Sequence, residues 1–139
     1  MNFWDSSAIV PLILDEPKSS HAKELYARDP HMIVWTLSPL EVLSAILRRY
    51  RNNELDTQSS NLAHDRLSML FEHVNVVRAI EQVKRRAERV LNLHPLRAAD
   101  ALQLAAALVS TYDDPQKRLF ITFDDRLSLA AQKEGFQVF

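Results

Sequence analysis

Along the chain, short apolar runs of strand length alternate with stretches in which apolar positions recur at a helical period. Asn2 to Asp5 is a short apolar run. The residues after it carry apolar side chains at helical spacing through Val10 and Leu14, with Ser6 and Ser7 as hydroxyl residues suited to capping that helix. Lys18 to Arg28 predicts a short amphipathic helix, and Met32-Ile33-Val34-Trp35-Thr36 is a β-rich run of buried-strand length. Ser38-Pro39-Leu40-Glu41 then opens a helix to about Arg51, with serine as N-cap, proline in the first turn and glutamate three residues after the serine.

The second half repeats the alternation. Thr57 to Phe71 has helical spacing, Val74 to Val77 is a third short strand, and Ile80 to Leu91 is a basic amphipathic helix carrying Lys84, Arg85, Arg86 and Arg89. Pro95 marks a new start. Leu96 to Val109 is almost wholly apolar, so that helix is expected to be buried on most sides, with Asp100 as its one acid. A polar turn around Asp113-Asp114 leads to the strand Leu119 to Phe123, a helix from Asp124 to about Lys133, a stop at Gly135 and a final strand from Phe136 to Phe139. Strands alternating with helices predict an α/β fold, a parallel sheet of four to five short strands with helices on both faces. The 139 residues fit one domain over positions 1–139.

Composition narrows the chemistry. A net charge of -1 excludes a uniformly basic nucleic-acid coat but hides local patches. There is no cysteine, which removes disulfides, thiolate metal sites and cysteine nucleophiles and fits a reducing cytoplasm. Met1 to Asp5 lacks the basic start and apolar run of a secretory leader, and no stretch reaches the roughly 18 apolar residues of a membrane helix. A soluble cytoplasmic protein with no membrane association is expected. The single glycine at position 135 rules out a glycine-rich phosphate loop, and no G-x-S-x-G elbow is present. His21, His31, His64, His73 and His94 show no zinc-type spacing and read as surface or loop residues.

Four acids remain. Asp5 closes the first strand, Glu41 and Asp100 lie in the first turns of their helices, and Asp124 follows the strand Leu119 to Phe123. In open α/β sheets ligands bind beyond the carboxyl ends of the strands, so these acids can meet on one rim. Two unit charges about 4 Å apart cost roughly 4 kcal/mol at an effective dielectric near 20, and a divalent cation relieves that cost. Magnesium and manganese prefer oxygen ligands and serve phosphodiester hydrolysis.

Each acid also has a structural role open to it. Asp5 can cap the helix at Ser6, Glu41 can complete a capping box with Ser38, Asp124 can cap the last helix, and Asp100 can pair with Arg97. A non-catalytic protein-binding module is the alternative that follows. The basic residues Arg48, Arg49 and Arg51 and those of the Ile80 to Leu91 helix can hold phosphates, although solvated helix faces carry such charges routinely.

With these residues in place, the chain resembles the PIN-domain nucleases, and within them the VapC toxins of type II toxin-antitoxin systems. The likeness is carried by Asp5-Ser6-Ser7-Ala8, by Glu41 in SPLEVLSAI, by LRAADALQLAAA around Asp100 and by ITFDDRLSLAA around Asp124. It implies a PIN fold and a ribonuclease dependent on Mg2+ or Mn2+ that cuts RNA internally. It also implies a homodimer and a cognate antitoxin that blocks the site. By position, Asp5, Asp100 and Asp124 match the metal ligands, with Glu41 assisting by metal or water binding and Arg97 beside Asp100 in the same motif. Ser6 and Thr122 match positions that support the first and last aspartates. The spacing T-x-D-x-x-L fits Thr122, Asp124 and Leu127, which favours Asp124 over Asp125. A DNA-directed nuclease of the same fold stays open.

Overall fold

Phe3 and Trp4 are neighbours in sequence and belong to two different hydrophobic cores. Successive side chains of a strand point to opposite faces, so one strand between two helical layers feeds both. In the computed structural model, which describes residues 1–139, strand β1 (Asn2–Trp4) is the centre of a five-stranded sheet. It is flanked by β2 (Met32–Trp35) and β4 (Leu119–Ile121), with β3 (Asn75–Val77) and β5 (Gln137–Val138) at the edges, in the order β3-β2-β1-β4-β5. Every pairing is parallel, and Phe3 lies level with Ile33 on one side and Phe120 on the other.

One layer packs α1 (Ser6–Ile13), α2 (Ser19–Arg28), α3 (Ser38–Arg51) and α4 (Thr57–Phe71) against Trp4, Met32, Val34 and Ile121. The other packs α5 (Ile80–Leu93), α6 (Ala98–Ser110) and α7 (Asp125–Lys133) against Phe3, Ile33, Trp35 and Phe120. The fold is thus the α/β architecture that apolar runs alternating with helical stretches predict. No helix is long and apolar enough to cross a membrane.

The boundaries that differ from expectation do so for local reasons. Strand β4 ends at Ile121, before Phe123: the Thr122 amide still reaches Phe139 O, and side-chain hydroxyls take the two amides after it. Ser7 Oγ accepts from Phe123 N at 2.9 Å and Thr122 Oγ1 from Asp124 N at 3.1 Å. Helix α6 begins at Ala98 rather than Leu96, since Arg97 is extended. The first helix is capped by the Asp5 side chain and not by the serines, which both lie inside it. The expected Ser38 and Glu41 capping box does not form: Leu37 is the N-cap residue of α3, and both side chains turn inward to another partner. His94, expected at the surface or in a loop, lies in the loop after α5 and is buried there, with its Nε2 2.7 Å from Glu134 Oε1.

Leu104, fully buried in α6, sets a scale for the core. Leu104→Ala is expected to cost about 2 to 5 kcal/mol, against less than about 0.5 kcal/mol for Leu40→Ala, where Leu40 is 63% exposed. Urea unfolding of the two variants measures the difference, and equal losses would contradict this layering.

Candidate functional site

The order of strands reverses between β1 and β4. The chain builds outward from β1 through β2 and β3, then returns to add β4 and β5 on the other side, which leaves a crevice where the two connections diverge. Asp5 immediately follows β1, and Asp124 follows β4 after Thr122 and Phe123. Glu41 and Asp100 are the acids in the first turns of α3 and α6. Four separate elements thus contribute one acid each.

Asp5 is 3% exposed, and a carboxylate so buried needs donors. Its Oδ2 accepts from Ser7 N at 3.1 Å, Ser7 Oγ at 2.5 Å and Thr122 Oγ1 at 3.0 Å. Burial nevertheless pushes its pKa above the ordinary carboxylate value, with the bonds from Ser7 and Thr122 acting the other way. Because Ser7 and Thr122 also accept the amides of Phe123 and Asp124, the same two hydroxyls tie the β4–α7 loop to the end of β1. Asp124 is the N-cap of α7 and accepts Leu127 N at 2.8 Å on Oδ1.

Gln103 was not singled out by sequence reasoning, and it organises the other half of the site. It is completely buried one turn beyond Asp100. Its Nε2 lies 2.8 Å from Ser6 Oγ, 3.1 Å from Ser38 Oγ and 3.0 Å from Glu41 Oε1. The amide has two hydrogens for these three acceptors, and Ser38 Oγ in turn donates to Gln103 Oε1 at 3.4 Å. One glutamine therefore joins α1, α3 and α6 beneath Glu41. A lone amide in the apolar run AADALQLAAA is the feature of the sequence that points to it.

The acids feel one another. The Glu41 pKa is pushed up to about 7, first by burial and then by the charges of Asp5 and Asp100, against hydrogen bonds from Ser6 and Gln103. Asp100 is raised by burial and by Asp5 and Asp124, with Arg97 and Arg126 partly compensating. Asp100 and Asp124 line a cleft of about 430 Å³ with Arg97, Phe123, Asp125 and Arg126. No ion pair forms between Asp100 and Arg97, so the helix-face pairing available from sequence is not what holds this acid.

Of the three supporting residues expected from sequence, Thr122 serves Asp5 and Asp124 together, the Ser6 side chain serves Gln103 and Glu41, and Arg97 lines the cleft beside Asp100. The hydroxyl on Asp5 comes from Ser7. No three acids or histidines are grouped tightly enough to hold an ion as they stand. The donor set still suits a hard cation: it is all carboxylate oxygen, and magnesium keeps several waters and needs only one or two carboxylates in direct contact.

Comparison with known proteins gives a consistent picture. The PIN domain family matches residues 3–133. No curated protein matches the sequence. Among solved structures, FitAcB from Neisseria gonorrhoeae superposes with a TM-score of 0.69 at 16% identity, covering 100% of this chain and 96% of that one. VapC20 from Mycobacterium tuberculosis, described as a sarcin-ricin loop cleaving toxin, gives 0.68 at 22% identity, covering 98% and 96%. A toxin-antitoxin complex from Klebsiella pneumoniae gives 0.64 at 15% identity, covering 89% and 87%. At these identities the superpositions speak for the fold.

The raised pKa of Glu41 makes a signed prediction for the protein in chelator. Below its ordinary value of 4.5 the group is protonated whether folded or unfolded. As pH rises from there through about 7, the folded state holds the proton longer and loses stability relative to the unfolded chain. Glu41→Gln is therefore expected to be more stable than wild type above pH 7, with the gap closing toward pH 4.5. A gap independent of pH in thermal melts would contradict the shared charge.

Proposed function

The chain belongs to the PIN domain family, and from that premise we propose that it is a metal-dependent endoribonuclease and the toxin of a toxin-antitoxin pair. Proteins of this family are generally nucleases that depend on a divalent metal. The observation that carries the reading is the set of four acids from four elements, three of them with pKa values raised by burial, two of these also by neighbouring acids of the set, at the crevice where the strand order reverses. That is an expensive arrangement for a protein with no cation to bind. The similar fold of a toxin described as cleaving the sarcin-ricin loop supports RNA as substrate.

Asp5, Asp100 and Asp124 are the residues proposed to hold Mg2+ or Mn2+, with Glu41 assisting. The ion would supply charge neutralisation and a more acidic water. The chain's own groups then divide the remaining work. Ser7 and Thr122 fix the orientation of Asp5, and the Leu127 amide fixes that of Asp124. Glu41 presents one oxygen to Gln103. Its carboxylate is the group proposed to take a proton from an attacking water. Arg97 and Arg126 line the cleft beside Asp100, where guanidinium groups can hold phosphate oxygens in two-point contacts.

The same reading includes a cognate antitoxin, a homodimer and a cytoplasmic location for the single domain of residues 1–139. Solved structures of similar fold include a toxin-antitoxin complex, which supports the antitoxin. An arginine from such a partner can compete for the acidic rim. A structure of similar fold described as FitAB bound to a DNA fragment keeps DNA in the comparison of substrates. A non-catalytic binding module is the second reading. One observation favours it: Asp5 and Asp124 both make capping bonds and so have structural work without any metal.

Asp5→Asn and Asp100→Asn are expected to lower Mg2+- or Mn2+-dependent cleavage of RNA by more than about a hundredfold, and Gln103→Ala by about 10- to 100-fold as a residue that orients a ligand. Single-turnover cleavage of RNA and DNA oligonucleotides, with and without chelator, measures this. Cleavage that persists in both aspartate variants or in chelator would sink the proposal, and faster cleavage of DNA would reassign the substrate.

A further inference from the structure

The acidic cleft is not the only groove in the molecule. A groove of about 740 Å³ lies between the start of α5 and the end of α6, and it is lined by Arg78, Arg85, Arg86, Arg89, Tyr112 and Asp113. Four arginines face one acid there, in a chain whose net charge is -1. Two of the four are already paired: Arg86 with Asp113 at 2.5 Å and Arg89 with Glu134 at 2.9 Å. Arg78 and Arg85 are exposed and have neither an ion pair nor a side-chain hydrogen bond. The nearby Glu81 pairs with Lys84. Helix α5 starts in the same groove at Ala79, which offers no side-chain cap, so the positive end of its dipole opens there too.

We infer that this groove binds the RNA backbone several nucleotides away from the cut, an inference that rests on the nuclease reading above. Three features favour a nucleic acid over an acidic protein. Guanidinium groups match phosphate in two-point geometry. Tyr112 on the groove wall is 90% exposed, and an exposed aromatic face is a stacking platform for unpaired bases. Finally, the groove and the acids are joined by a ruler. Helix α6 carries Asp100 at one end and Val109 of the groove at the other, about 14 Å along the axis at 1.5 Å per residue. A stacked strand rising roughly 3.4 Å per nucleotide covers that in about four nucleotides. Helix α5 runs back from the groove to the turn that delivers Arg97 to the acidic cleft.

The test is the Arg78→Gln/Arg85→Gln double variant, in which two exposed side chains change and the melting temperature should not. Binding of a fluorescein-labelled single-stranded RNA, long enough to span groove and acids, is followed in chelator across a salt series. The variant is expected to bind about tenfold more weakly, with the slope of log affinity against log salt smaller by about 1.4, the loss of two phosphate contacts. Its cleavage of a trinucleotide should equal wild type, while KM on the long RNA rises. Unchanged affinity and slope would overturn the groove, even in a protein that cleaves RNA. An equal loss of binding to polyglutamate would overturn it in favour of a site for acidic proteins. If wild type cleaves no RNA but the double variant still loses RNA binding with the reduced slope, the groove stands and the nuclease reading falls.

Discussion

A carboxylate 3% exposed at the end of the central strand is the constraint around which the rest of the site is arranged. Asp5 cannot be buried without donors, and the sequence supplies them from two directions: Ser7 from the first turn of α1 and Thr122 from the end of β4. Those hydroxyls also accept the amides of Phe123 and Asp124, so satisfying Asp5 and releasing Asp124 from the sheet are one event. Were β4 to run on through Phe123 as its apolar pattern suggests, Asp124 would begin α7 from a different place.

Helix α6 supplies the opposite wall. Its alanines and leucines bury it against the sheet, which makes Asp100 and Gln103 conspicuous as polar groups one turn apart. Gln103 settles its own burial by bonding Ser6, Ser38 and Glu41, and in doing so it holds Glu41 close enough to Asp5 and Asp100 to feel their charge. Repulsion among these acids works against the fold in the absence of a counter-charge, the pattern expected where stability is given up for a binding site. Arg97 and Arg126 compensate only partly for Asp100.

The fold was largely legible because the strands are short apolar runs set between stretches of helical spacing. The alternation of Phe3 with Trp4, and of Ile33 with Val34, is the two-faced pattern of a sheet between helices. The acids were legible as strand-end and first-turn residues. What escaped was long-range. Ser38 and Glu41 have the spacing of a capping box, yet their partner is Gln103, more than sixty positions away. Local pattern favours the cap because it has no access to tertiary bonds. The sequence points to Ser6 as the hydroxyl on Asp5, and helix phase gives that place to Ser7 while Ser6 faces Gln103. His94 is a loop histidine, as its sequence suggests, but its burial depends on Glu134, brought against it from the end of α7. The arginines of α5 were visible as a basic face, but only the packing of α5 on α6 shows that they share a groove with an exposed tyrosine.

The central claim is that Asp5, Glu41, Asp100 and Asp124 form one cation site although no three of them are preassembled as ligands. Titrating Mn2+ into the protein and following the free-ion paramagnetic resonance signal tests it without any substrate. The account predicts saturable binding to wild type that is lost or greatly weakened in Asp5→Asn and Asp100→Asn and retained in Asp113→Asn. Saturable binding undiminished in both site variants, or no binding to wild type, would contradict it.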